Sequence, residues 1–225
     1  MSTIRAFINQ TGAILWKDVR CELRSKQTWL GMAMFALLAL VIFNFTFDLH
    51  VDNKSAVAPG ALWIAFIFAS LLGLSRTIAA EREQGAMDRL LLCPVDRKAI
   101  YCAKLLGNLL FIGVVEIIAL PVFAALFNVP LLTGGLIPVV VLGTLGIATI
   151  VTLFSAMATA TRARELLLPI LVFPLIVPVV TGAVRATEAL MVPPVNEPPW
   201  LSLIIAFDVI FLSVAMLTFP YVIEE

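Results

Sequence analysis

At 225 residues, 61% hydrophobic and only 13% charged, with a mean hydropathy of +1.05, the chain lies outside the composition range of a water-soluble domain. Lys plus Arg and Asp plus Glu both number 15, so net charge singles out no partner and no nucleic acid is expected. Six membrane-crossing helices of ~20 residues would use roughly 120 residues, leaving short loops and a surface helix or two and excluding a soluble catalytic domain.

Residues 1–27 carry seven charges and lead into an apolar run of full membrane-crossing length, with no small-residue cleavage site, so a retained segment is expected rather than a signal peptide. On a helical wheel Ile4, Phe7, Ile8, Leu15 and Val19 share one side and Lys17, Arg20 and Arg24 the other, while Asp18, Glu22 and Lys26 blur the pattern. That is the pattern of a helix lying in the interface with its bases toward anionic head groups, though a solvated basic tail would carry the same residues. Uncharged runs follow at 29–47, 57–75, 136–161 and 166–184, and two more, 105–129 and 201–222, are each interrupted by one acid. The expected fold is all-α: a polytopic membrane protein of six transmembrane helices, with 1–27 as an interfacial segment and 28–225 as the membrane domain. Thirteen of the 15 bases fall on one side of these spans and only Lys54 and Arg185 on the other. By the positive-inside rule both termini are then cytoplasmic.

The densest charge cluster lies between spans two and three, within a cytoplasmic segment assigned to 79–98. Glu81, Arg82, Glu83, Asp88 and Arg89 supply a face of both signs, Met87, Leu90 and Leu91 recur at helical spacing, and Pro94 ends the element. Orientation requires only bases, so the interspersed acids point beyond a solvated loop, toward a surface that docks a protein by complementary charge.

The stretches ALWIAF at 61–66, SLLGL at 70–74, EREQGAMDRLLLCPV at 81–95 and AKL at 103–105 resemble the corresponding region of the CcmB family, haem exporter protein B. The proline-rich run LLLPILVFPLIVPVV at 166–180 is a second block of similarity. Neither block is a catalytic signature; the likeness is one of pattern and order from residue 29 onward. The resemblance implies the permease subunit of a cytochrome c maturation ABC transporter, with ABC-2-type architecture, in a bacterial inner membrane. It also implies a coupling role, in the cleft of a separate ATPase subunit, for Glu81, Arg82, Glu83, Gly85, Met87, Asp88, Arg89 and Leu90. The implied partners are that ATPase, a haem-handling membrane subunit, a periplasmic haem chaperone and the lipid bilayer. No cofactor is expected on this chain: ATP would sit on the partner, and haem would enter as cargo of the complex. None of the twelve glycines begins a G-x-x-x-x-G-K-[ST] phosphate-binding loop, so ATP hydrolysis belongs to another chain.

Two carboxylates fall inside apolar spans, where an ionised side chain costs at least ~2.5 kcal/mol. At ~1.5 Å per residue Glu116 lies about 16 Å from the cytoplasmic start of span three and Asp208 about 10 Å from the outer end of span six, which places them at similar depth. They could face one cavity or a partner, form part of a proton relay, or simply be capped by neighbouring hydroxyls. Pro169, Pro174 and Pro178 in span five each remove a backbone donor, so that span either packs centrally or is merely kinked. Gly143 and Gly146 in span four permit close helix approach without forming G-x-x-x-G.

The one histidine, His50, in a short outer loop, is a poor basis for haem ligation, and Trp200 reads as an interfacial anchor. Cys21, Cys93 and Cys102 have neither C-x-x-C spacing nor a nearby histidine; no metal site or disulfide is indicated, and they are expected as buried or interfacial small residues. Two other functions remain open at this point, an ABC-2 permease for another amphiphile such as a lipid-linked saccharide or drug, and a proton-coupled carrier or intramembrane enzyme using the two acids.

Overall fold

A computed structural model describes residues 2–25, 27–50, 54–83, 90, 92–128, 135–160, 164–191 and 199–224, with some stretches, among them 74–83 and 164–171, described by backbone alone. Seven helices and no strand occur among the described residues: α1 (Ser2–Ser25), α2 (Gln27–His50), α3 (Lys54–Glu83), α4 (Arg97–Phe127), α5 (Leu136–Ala160), α6 (Arg164–Met191) and α7 (Trp200–Glu224). Five of them contain stretches long and apolar enough to cross a membrane, in α2 and α4 to α7. In α3 the apolar stretch Val57–Gly73 is shorter, but it lies within a helix of 30 residues, about 45 Å at ~1.5 Å per residue.

The centre of the bundle is α5, packed against α3, α4, α6 and α7. Of its apolar window 67% is buried, against 39% for α6 and 17% for α7. Span four is thus central, and in α6 Pro174 is exposed and Pro178 half-buried. The glycines of α5 act within the fold. At Gly143 the ring of Trp63 from α3 occupies the space of a side chain, and at Gly146 Asp208 of α7 and Val179 of α6 do so. Trp63, fully buried, crosses from α3 to α6, where its Nε1–H donates to Thr187 Oγ1 at 3.0 Å. Leu30, Met34, Leu38, Ile42 and Phe45 of α2 are exposed at spacings of three and four, forming one outward stripe on a helix that would face acyl chains.

The third span begins earlier than its apolar run. Asp96 caps α4, its carboxylate accepting from Lys98 N at 2.9 Å, so the helix starts at Arg97. Asn128, in the left-handed conformation at φ 53°, closes the other end.

Along the first three turns of α4 lies α1. Gln10 accepts from Asp96 N at 3.3 Å and Asp18 pairs with Lys104 at 3.0 Å; both pairs are separated by 86 residues, so the two helices run in the same direction. Asp18 and Glu22, which disturb the wheel of α1, therefore belong to its protein-facing side, together with buried Thr11 and Ile14. Leu15 is turned toward Gly107 of α4 and is not part of the outward face. The exposed apolar stripe is instead Ile8, Trp16 and Leu23, with Lys17 and Arg20 exposed beside it.

Candidate functional site

The segment between spans two and three is a hairpin whose two arms are the long helices α3 and α4. No break separates span two from residues 79–83: Glu81, Arg82 and Glu83 form the last turn of α3, so the charged cluster starts as the continuation of a membrane helix. Gly85, Met87, Asp88 and Arg89 lie outside the described residues. Leu90 returns to pack against the core, Cys93 N donates to Leu90 O at 3.2 Å, and Val95 N donates to Cys93 O at 2.8 Å. Val95 also packs on the core, Asp96 caps α4, and Arg97 Nη1 donates to Pro220 O of α7 at 3.4 Å. Between these anchors Leu92 is 87% exposed, flanked by exposed Cys93 and Pro94. The return arm is thus fixed at both ends and presents one large apolar side chain, a feature that helical spacing alone does not single out.

Beneath the hairpin α4 and α5 share a polar seam. Tyr101, Asn108 and Glu116 are seven and eight residues apart on one face of α4. Tyr101 Oη donates to Thr149 O at 3.2 Å, Asn108 Nδ2 donates to Thr152 Oγ1 at 2.8 Å, and Thr144 Oγ1 donates to Glu116 Oε1. Sequence reading found Glu116 because it is charged. It missed the rest of the seam, although a polar residue about every seventh position in α4, opposite a threonine-rich α5, was visible.

Glu116 is buried and capped by a hydroxyl, the plainest of the readings open to it. Asp208 differs: it is only 4% exposed, and neither carboxylate oxygen has a hydrogen-bond partner among the described residues. Along α5 the two acids stand two residues apart, Glu116 meeting it at Thr144 and Asp208 at Gly146. Two residues along a helix turn through about 200°, so the acids approach α5 from opposite sides and do not converge on one cavity.

Pro169 lies in α6, a helix that stays continuous from Arg164 to Met191 through all three prolines. Arg185 and Glu188, near the end of α6, pair at 3.0 Å. His50 is the last residue of α2. The cysteines correct the expectation of burial: Cys21 and Cys93 are exposed, and Cys102 is half-buried with its thiol 3.8 Å from Met216 Sδ. Exposure follows from their places, Cys21 on the solvent side of α1 and Cys93 in the hairpin turn.

The sequence profile of the family described as CcmB protein matches residues 9–225. A protein of Bradyrhizobium diazoefficiens named Heme exporter protein B is 28% identical over 203 residues, covering 90% of this chain and 91% of that one. The Rhodobacter capsulatus protein of the same name is 30% identical over 168 residues, 74% of this chain and 77% of its own. A third, from Pseudomonas aeruginosa, is 26% identical and covers 80% and 82%. A match of this extent, on a helical bundle with membrane-crossing apolar stretches, makes the chain a member of the CcmB family of polytopic membrane proteins.

Proposed function

We propose that this chain is the membrane subunit of an ABC transporter complex for cytochrome c maturation, in a bacterial inner membrane with both termini cytoplasmic. A separate ATPase docks on the hairpin between α3 and α4, and hydrolysis there drives either haem export or release of a haem-loaded periplasmic chaperone from a haem-handling membrane subunit. Relatives named Heme exporter protein B support the haem connection, and the sparse haem-ligand set of this chain favours chaperone release. The absence of a phosphate-binding loop from the sequence supports an ATPase on another chain.

The observation that carries this reading is the form of the hairpin. Two helices that begin in the core continue into one charged tip, and the return arm holds Leu92 out between fixed residues. An apolar knob bordered by charges of both signs suits a cleft on a folded partner better than open solvent. Coupling then belongs to Glu81, Arg82, Glu83, Gly85, Met87, Asp88, Arg89 and Leu90, with Leu92 added. On the α3 side the helix itself runs from the core to Glu83, so displacement there is carried along a continuous helix into the bundle. The basic and apolar faces of α1 suit a helix in the cytoplasmic interface of the same membrane.

The test is co-purification of the ATPase from solubilised membranes. Glu81→Ala with Arg82→Ala, and separately Leu92→Asp, reduce ATPase recovery and holocytochrome c while the protein still elutes as a folded species. Full recovery of ATPase and cytochromes with both variants overturns the docking assignment.

A further inference from the structure

Where α1 turns into α2, two residues that each carry a buried, unpartnered polar atom line one small cavity. The cavity measures about 20 Å³ and is lined by Glu22, Thr28, Trp29, Met32, Ser70, Asn108 and several apolar residues. Five helices therefore meet around it: the end of α1, the start of α2, α3 at Ser70, α4 at Asn108 and α5 at Val151. Glu22 Oε1 and Trp29 Nε1 are each shut off from solvent, and neither has a hydrogen-bond partner among the described residues.

Their chemistry is complementary. The indole N–H can only donate, and a carboxylate can only accept. Buried groups of this kind are almost always paired with protein or ordered water. Of the other polar side chains in the wall, Thr28 carries a hydroxyl that can donate and accept, while Ser70 Oγ donates to Phe66 O at 2.6 Å and Asn108 Nδ2 to Thr152 Oγ1 at 2.8 Å, both retaining acceptor capacity. A buried water requires roughly 10–15 Å³ and two to four polar partners, and this cavity offers both. A cation fits less well, because the indole N–H presents a positive hydrogen to the same space.

We infer that the cavity is a hydration site for a single water molecule, which accepts a hydrogen bond from Trp29 Nε1–H and donates one to Glu22 Oε1. The water joins the last turn of α1 to the first turn of α2 at the level where α4 carries Asn108. With the Asp18–Lys104 pair one turn earlier on α1, it fixes the α1–α2 elbow to α4. The site stands on side-chain chemistry alone and does not depend on the docking of an ATPase.

Radiolytic footprinting of the full-length protein in lipid nanodiscs tests it. X-ray-generated hydroxyl radicals form from bound as well as bulk water and oxygenate the side chains beside them. Trp29 and Met32 are expected to be modified several-fold more than Trp63, a fully buried tryptophan of the core. After rapid mixing into H₂¹⁸O the oxygen they gain is first ¹⁶O, from water that has not yet exchanged. Trp29→Phe lowers labelling of Met32 several-fold, whereas Glu22→Gln, which keeps an acceptor oxygen, preserves it; Glu22→Leu provides a second loss should the phenylalanine variant not fold. Labelling of Trp29 and Met32 no greater than that of Trp63 means a dry cavity and overturns the inference. Immediate ¹⁸O incorporation means bulk solvent and overturns it as well, as does unchanged Met32 labelling in folded Trp29→Phe.

Discussion

Replacing Gly143 by alanine tests the central packing of the bundle, because two opposing effects of known size meet at that position. Within a helix, alanine is favoured over glycine by about 1 kcal/mol. Against this, a Cβ at Gly143 would lie 2.7 Å from Trp63 Cζ3, and closer still to Cη2. Trp63 cannot yield freely: it is fully buried, meets Phe66 edge-on with ring centroids 5.9 Å apart, and is held through Nε1 by Thr187. Overpacking of this kind costs about 1–3 kcal/mol, with about 1 kcal/mol more if the ring moves far enough to lose its hydrogen bond. The clash outweighs the propensity gain, and Gly143→Ala is expected to destabilise by about 1–2 kcal/mol net. Trp63→Phe removes the ring atoms that clash and leaves Thr187 still donating to Ala183 O at 2.7 Å. In that background Gly143→Ala should become neutral or mildly stabilising. The assay is a double-mutant cycle on the purified protein, read as the temperature of half-aggregation by gel filtration. Equal loss in both backgrounds, or no loss in either, refutes this account of how Trp63 packs on Gly143.

Three other perturbations follow from the same geometry. Thr144→Val strands the buried Glu116 carboxyl and should lower stability by about 1–3 kcal/mol, while Glu116→Gln, which keeps an acceptor for the hydroxyl, should lower it less; equal losses in thermal unfolding count against the hydroxyl cap. Lys104→Met leaves Asp18 half-buried beside only Lys17 and should make α1 more accessible to limited proteolysis, an effect absent from the distant surface control Arg185→Met; identical digestion of the two variants contradicts the clamp. If α1 lies in the interface, Trp16 fluorescence is quenched by lipids brominated near the head group and less by those brominated near the chain end; a probe measured with Trp16 as the remaining quenchable tryptophan and showing no quenching places the helix in water.

Much of the bundle was legible because the bilayer imposes a coarse rule. Uncharged runs near 20 residues marked the membrane-crossing elements, and the observed apolar stretches of α2 and α7 begin within a residue of those runs. Boundaries set by side-chain chemistry were less visible. The start of α4 is fixed by the Asp96 cap and lies eight residues before the apolar run. Hydropathy also gave no means of ranking the spans by centrality, since α5 and α7 have the same mean value yet differ fourfold in burial. Centrality instead follows from small and hydroxylated residues: Gly143 and Gly146 admit side chains of α3, α6 and α7, and the hydroxyls of Thr144 and Thr152 give α4 polar partners. Asp18 and Glu22 show the same limit in α1. On a wheel they interrupt amphipathicity, and only packing against α4 gives them a side.

The two intramembrane acids bear differently on stability. Glu116 belongs to a seam in which Tyr101, Asn108 and Glu116 of α4 each find a partner on α5, which ties the two helices together. Separating them would expose several hydrogen-bonding groups to an apolar surrounding at once, which is expensive where water is absent. No comparable seam ties α7 to α5 at Asp208: its carboxyl rests against Gly146 and Val179 without a hydrogen-bond partner among the described residues. A buried acid without a partner contributes nothing to holding α7 in place, and the apolar face that α7 turns outward contributes little more within a single chain. Asp208→Asn should therefore leave thermal stability unchanged or raise it, in contrast to Thr144→Val. Of the two helices, α4 is held to α5 by directional bonds and α7 chiefly by shape, so a shift of α7 along α5 breaks fewer hydrogen bonds than a shift of α4.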